Sequence, residues 1–194
     1  MSEIIQEDGP GYYINITQGD FIHVPNKDIE KKLNDMIPFH LDLDSFRDKA
    51  KDIAEQGKNS QYGHHVNVFM NAGGYLSMAV IEDIRFDTLH DYKREILNYD
   101  FYKNKEVKLS DIFVDEFSIN NVIKAYIKRN FSYNLTDEMI ETGVKDAVKS
   151  NKFTFDEYTI QIYFDPKGAD LDGYQKWIFI PWEEFGLEKI KLFN

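Results

Sequence analysis

The feature that most constrains this chain is its middle. Between Tyr62 and Phe101, apolar and polar residues alternate through long segments broken by short turns. In the first segment Val66, Val68 and Met70 share one face, while His65, Asn67 and Phe69 share the other. Alternation of this kind belongs to a β-strand, whose successive side chains point to opposite sides. Asn71-Ala72-Gly73-Gly74 reads as a turn between antiparallel neighbours. Tyr75 to Phe86 and Leu89 to Phe101 read as two more long strands, followed by a polar turn at Tyr102-Lys103-Asn104-Lys105. Strands joined by such short connections form a meander, which favours an antiparallel sheet.

Helices and shorter strands flank this meander. Gly11 to Val24 reads as two short strands turning at Gln18-Gly19-Asp20. Asn26 is a candidate N-cap for a helix whose apolar stripe is Ile29, Leu33, Met36 and Ile37, with Pro38 as its stop. A second helix is expected from about Asp44, carrying Phe46, Ala50, Ile53 and Ala54 and stopping at Gly57. Beyond the meander, helical spacing recurs from Asp115 to Asn130, and again after Thr136 through Met139, Ile140, Val144 and Val148. Strands close the chain at Phe153 to Phe155, Tyr158 to Phe164 and Gln175 to Ile180. Without regular strand–helix–strand alternation, the order predicts an α+β fold: an antiparallel meander with helices packed on one face. Two small interlocked α/β subdomains, 1–101 and 102–194, are expected to form one compact unit.

Composition narrows the function. The chain has 194 residues, enough to bury a core, and its 15 Phe and 12 Tyr argue against disorder. Its net charge of −11 disfavours nucleic acid and anionic lipid, whose phosphates need clustered Lys and Arg, and permits a cationic partner. There is no cysteine, which excludes disulfides and thiolate zinc sites. No apolar run approaches the roughly 20 residues needed to span a bilayer. The segment from Met1 to Tyr13 lacks the basic start and apolar stretch of a signal peptide. A cytoplasmic protein is expected if Met1 is the native start, and an extracytoplasmic or cell-surface one if a leader has been removed.

Motifs for catalysis are missing. There is no P-loop, dinucleotide fingerprint, nucleophile elbow or H-E-x-x-H, and no cofactor is expected. His64 and His65 would point to opposite faces of a strand, so no shared metal ion is expected. His90 and Tyr92 share a strand face and form a candidate polar site. The loop from Asp165 through Asp170, Asp172 and Tyr174 holds acidic and glycine residues that would suit calcium, but its spacing is not that of an EF-hand, and it reads as a turn-rich surface loop. Trp177 and Trp182 lie in an aromatic stretch that reads either as a buried strand or as a platform for stacking sugars. With 34 acidic residues, no particular carboxylate pair stands out for glycoside hydrolysis.

Ile96 to Phe113, ILNYDFYKNKEVKLSDIF, resembles a bacterial domain whose members carry N-F-D-L-x-T-G-K-x-(V/I)-x-L-x-D-L-F here. That domain occurs in RsiV-like lysozyme-sensing anti-sigma factors and in the non-catalytic region of PdaC-like peptidoglycan deacetylases. Asn26 to Asn34 is similar to its first helix pattern, N-x-x-I-x-x-x-(I/L)-N. Its closing loop and strand look like Phe164 to Gly173 and Ile178 to Phe185. One departure is the turn before the strand: relatives carry G-G-A-H-G, and Phe86 to Tyr92 keeps only the histidine, His90.

The resemblance implies a non-catalytic recognition domain of the cell envelope. Its partner would be peptidoglycan, another glycan, or an envelope-targeting protein such as lysozyme. The alternatives are an immunity protein or enzyme inhibitor that neutralises a partner, and a carboxylate-dependent hydrolase. Candidate binding residues are His90, Tyr92, Asp165, Asp170, Asp172, Tyr174 and Trp177.

Overall fold

The computed structural model describes the chain except residues 1, 39–40, 115, 132–134, 170, 172–175 and 194. The fold is α+β, with a mixed six-stranded sheet in the order β1-β2-β3-β4-β5-β6 and a separate antiparallel sheet of three, β7-β8-β9. In chain order the strands are β1 (Ser2–Gly9), β2 (Tyr12–Gly19), β3 (Ser60–Ala72), β4 (Tyr75–Phe86), β5 (Leu89–Asp100), β6 (Lys105–Glu106), β7 (Phe153–Phe155), β8 (Thr159–Tyr163) and β9 (Trp177–Pro181). The helices are α1 (Lys27–Met36), α2 (Leu43–Ala54), α3 (Leu109–Ile112), α4 (Glu116–Asn130) and α5 (Asp137–Ser150). The chain divides into two units: Met1–Val68 with Met78–Leu97, and Phe69–Ser77 with Asn98–Asn194.

In the first unit β1 and β2 form an antiparallel hairpin, with Ile5 opposite Ile16 and Gly9 opposite Tyr12. The sequence reading missed β1 and expected a turn at Gln18-Gly19-Asp20 instead. The segment after Gly19 is not a strand, because its backbone is satisfied elsewhere. Phe21 N–H donates to Asn34 Oδ1 at 2.7 Å, and Asn34 Nδ2 donates back to Phe21 O at 3.0 Å. A second difference is that β2 pairs with β3 in parallel, Tyr12 beside Ser60 and Ile16 beside His64. Parallel neighbours need a crossover, and α1 and α2 supply it. Asn26 caps α1 by accepting from the Asp28 and Ile29 amides, and Asp42 caps α2 through Asp44 and Ser45. Phe46 and Ala50, one turn apart on α2, pack with Ile14, Ile16 and Tyr62 of the sheet.

In the second unit α5 is capped by Thr136, whose side chain accepts from Met139 N–H, and ends at Asn151 in the left-handed conformation. Ile140, Val144 and Ala147 of α5 share a core with Ile119, Ile123 and Ile127 of α4 and with β7 to β9. β8 pairs antiparallel with both neighbours, Ile160 lying beside Phe155 and Ile180. The expected helix start at Asp115 and strand start at Gln175 lie outside the described residues. No helix among the described residues is long and apolar enough to cross a membrane.

Candidate functional site

The sheet of the first unit has two unlike faces. One carries Ile14, Ile16 and Tyr62 and is packed by α2. Period two puts the intervening residues on the other face. Tyr13 and Asn15 of β2 there stand beside Gln61 and Gly63 of β3, and Asp8 and Gln6 of β1 stand opposite Tyr13 and Asn15. A Cβ on Gly63 would lie 2.9 Å from His65 Nε2 and 3.9 Å from Asp83 Cβ. This places His65 and Asp83 on the same polar face.

Asp83 organises its β4–β5 end. Arg85 grips the carboxylate with Nε at 3.1 Å and Nη2 at 2.8 Å, and His90 Nε2 lies 2.8 Å from the same Oδ1. The His90 ring meets Tyr92 edge-on at 6.2 Å. Arg94, next along this face, is half-buried. Burial pushes its pKa down to about 10, against the charge of Tyr92 and the hydrogen bond that Arg94 donates to it. The structure therefore brings His90 and Tyr92 together, as the sequence suggested, and adds Asp83, Arg85 and Arg94.

At the β1–β2 turn end of this face is a cavity of about 450 Å³. Arg85 belongs both to the Asp83 cluster and to the cavity wall, beside Asp8, Tyr13, Asn59, Ser60 and Asp87. Asp87 is itself paired with Lys58 at 2.5 Å. Two glycines shape the wall. Gly11 has φ +74°, and a Cβ there would come 2.2 Å from Ala54 Cβ. A Cβ on Gly9 would run into the Tyr12 ring at 2.2 Å. Tyr12 is held by donating to Glu7 Oε1 at 2.6 Å, and Arg47 clamps Glu7 from the other side at 2.6 Å. These bonds, Arg47 first, hold the Glu7 carboxyl below its usual pKa.

On the helix-packed face, His64 is buried and lines a narrow crevice with Glu82, Lys93 and Glu95. Glu82 accepts from Tyr62 Oη at 3.0 Å. The two histidines thus diverge as expected. No group of three or more His, Cys, Asp or Glu residues among the described residues is placed to hold a metal ion.

The second unit holds the remaining candidates. Asp165 accepts from Tyr163 Oη at 3.1 Å and pairs with Lys176 at 3.0 Å. Burial and the adjoining Asp165 push the Tyr163 pKa up to about 12. Trp177 is 5% exposed and its ring packs against Tyr163 at 5.3 Å. Trp182 is 1% exposed and donates through Nε1 to Asp156 O. Both indoles are thus inside the fold, and the residue that β9 turns outward is Phe179. Asp170, Asp172 and Tyr174 lie outside the described residues.

Sequence reasoning did not find Tyr13, Gln61, Asp83, Arg85 or Asp87. A signal was available at β2, where Tyr13 and Asn15 alternate with the buried Ile14 and Ile16. What joins that strand to Asp83 and Arg85 is sheet order, which no local spacing carries.

No protein-family model and no curated protein matches the chain. Solved structures do match. A member of the DUF3298 family from Bacteroides fragilis NCTC 9343 is 12% identical, with a TM-score of 0.54 over 98% of this chain and 92% of that one. The chain has a DUF3298-type fold. A DUF3298 family protein from Pseudomonas aeruginosa PAO1 is 14% identical, with a TM-score of 0.51 over 98% of this chain and 94% of that one. At these identities the DUF3298 likeness is one of fold.

Proposed function

We propose that this chain is a non-catalytic recognition domain of the bacterial cell envelope, acting outside the cytoplasm. Its partner is peptidoglycan or an envelope-targeting protein such as lysozyme. The observation that carries this reading is the polar sheet face of the first unit. Its charged groups are held by one another, Asp83 by Arg85 and His90 and Asp87 by Lys58. Groups fixed in this way present donors and acceptors at set positions, which is what recognition needs. The resemblance to RsiV-like sensors and PdaC-like deacetylases supports the compartment, and the net charge of −11 suits a basic protein partner.

The test is co-sedimentation with purified peptidoglycan sacculi and capture of lysozyme by the intact chain, each at low and high salt. Retention of sacculi or of lysozyme is the expected result. Retention of neither, with capture of one intracellular protein instead, would replace this reading by the immunity-protein or inhibitor one.

A further inference from the structure

We infer that the cavity beside the β1–β2 turn is a subsite for a neutral sugar, with Tyr13 as its stacking surface. This rests on the recognition reading above and narrows it to a ligand class and a place. The volume, about 450 Å³, falls within the range of small-ligand pockets. The lining discriminates by charge. Asp8 repels a phosphate, sulfate or carboxylate, Asp87 is paired with Lys58, and the one guanidinium on the wall, Arg85, is engaged by Asp83. What remains suits hydroxyl groups. Asn59 and Gln61 each offer a donor and an acceptor, and a sugar hydroxyl likewise donates and accepts.

A further observation fits a sugar. Tyr13 is 37% exposed at the wall, while its strand neighbours Ile14 and Ile16 are buried. A pyranose has an apolar C–H face that covers such a ring, while its hydroxyls reach the polar groups around it.

The experiment is calorimetric titration of the intact chain with three probes: the β-1,4-linked N-acetylglucosamine tetramer, cellotetraose and a sulfated tetrasaccharide. It is repeated on Tyr13→Ala, Tyr13→Phe and Gln61→Ala, with circular dichroism and thermal melting to establish that each variant folds. The expected result is binding of at least one neutral tetramer and none of the sulfated one. Tyr13→Ala and Gln61→Ala should each weaken binding by about tenfold or more, and Tyr13→Phe should retain it. Equal binding by Tyr13→Ala, or binding of the sulfated probe alone, overturns the subsite. If no neutral tetramer binds while sacculi or lysozyme are still retained, the subsite fails and the recognition reading stands. If nothing is retained at all, both fail.

Discussion

Ser77 and Asn98 are buried together in the second unit, Ser77 Oγ donating to Asn98 Oδ1 over 2.6 Å. Each side chain also serves the β7 backbone. Asn98 Nδ2 donates to Phe153 O at 2.7 Å, and Ser77 Oγ accepts from Phe155 N–H at 2.9 Å. Such a network is favourable only when complete, because a buried group left without its partner keeps its desolvation cost. Asn98→Ala strands the Phe153 carbonyl and half of Ser77. We expect a loss of about 2–3 kcal/mol, read as a lower urea midpoint with an unchanged slope. A loss under about 0.5 kcal/mol would show that water substitutes for the amide.

Asn98 also stands where the N-F-D-L pattern of the RsiV-like domain begins, and its neighbours there are equally structural. Asp100 Oδ1 accepts from Tyr102 and Lys103 N–H, both at 2.9 Å, and closes the turn. Asn104 takes the left-handed conformation at φ 51°. Asp111 accepts from Lys108 N–H at 2.9 Å and starts α3. In the first-helix pattern, Asn26 is the N-cap and Asn34 ties down Phe21. These polar residues are tied up in the fold, so the motif identifies architecture, while the candidate site is built from residues outside it. That is why elements were readable from the sequence and the site was only partly so. Alternation placed β3, β4 and β5, and caps placed α1 and α5. The parallel pairing of β2 with β3 depends on a crossover whose return point no local pattern marks.

Two of the positive-φ glycines, Gly11 and Gly73, separate backbone strain from crowding. At Gly73, φ is +59° and a Cβ would meet nothing within 4 Å. Gly73→Ala should therefore cost only the left-handed penalty of about 1–2 kcal/mol. Gly11→Ala adds a collision with Ala54, and overpacking brings roughly 1–3 kcal/mol more. Thermal melts should rank Gly11→Ala well below Gly73→Ala. An inverted order would mean that the hairpin end yields to the added methyl.

The Glu7–Arg47 pair gives the first unit an acid-sensitive contact. The bonds from Arg47 and Tyr12 lower the Glu7 pKa in the folded chain. A group with a lowered folded pKa stabilises above its unfolded value, about 4.3, and loses that contribution as pH falls through the folded value. Glu7→Gln should therefore be less stable than the parent chain at pH 6, and the gap should close below about pH 4. Urea titrations of both proteins across this range would show it. A gap constant with pH would mean that Glu7 acts through packing alone.

Trp177 and Trp182 test where the second unit keeps its aromatic surface. With exposures of 5% and 1%, both indoles should emit at short wavelength and resist iodide quenching in the native chain. Strong quenching, or a spectral shift on adding glycan, would restore the stacking platform that the aromatic C-terminal stretch suggests.

Asp83 is the residue whose removal should separate binding from folding. It does not line the cavity, yet it grips Arg85, which does, and holds His90 as well. Its side chain is 15% exposed and that of Arg85 is 51% exposed, so the pair adds at most about 1 kcal/mol to stability. Asp83→Ala should melt close to the parent chain. It removes the carboxylate that grips the Arg85 guanidinium, and we expect partner affinity to fall about tenfold. Asp83→Asn keeps one acceptor for Arg85 and should recover part of that loss. If Asp83→Ala binds as the parent does, Arg85 needs no orientation and the polar cluster is not part of the recognition surface. If Asp83→Ala unfolds, the cluster is a structural strut, and Asp83→Asn becomes the variant that decides.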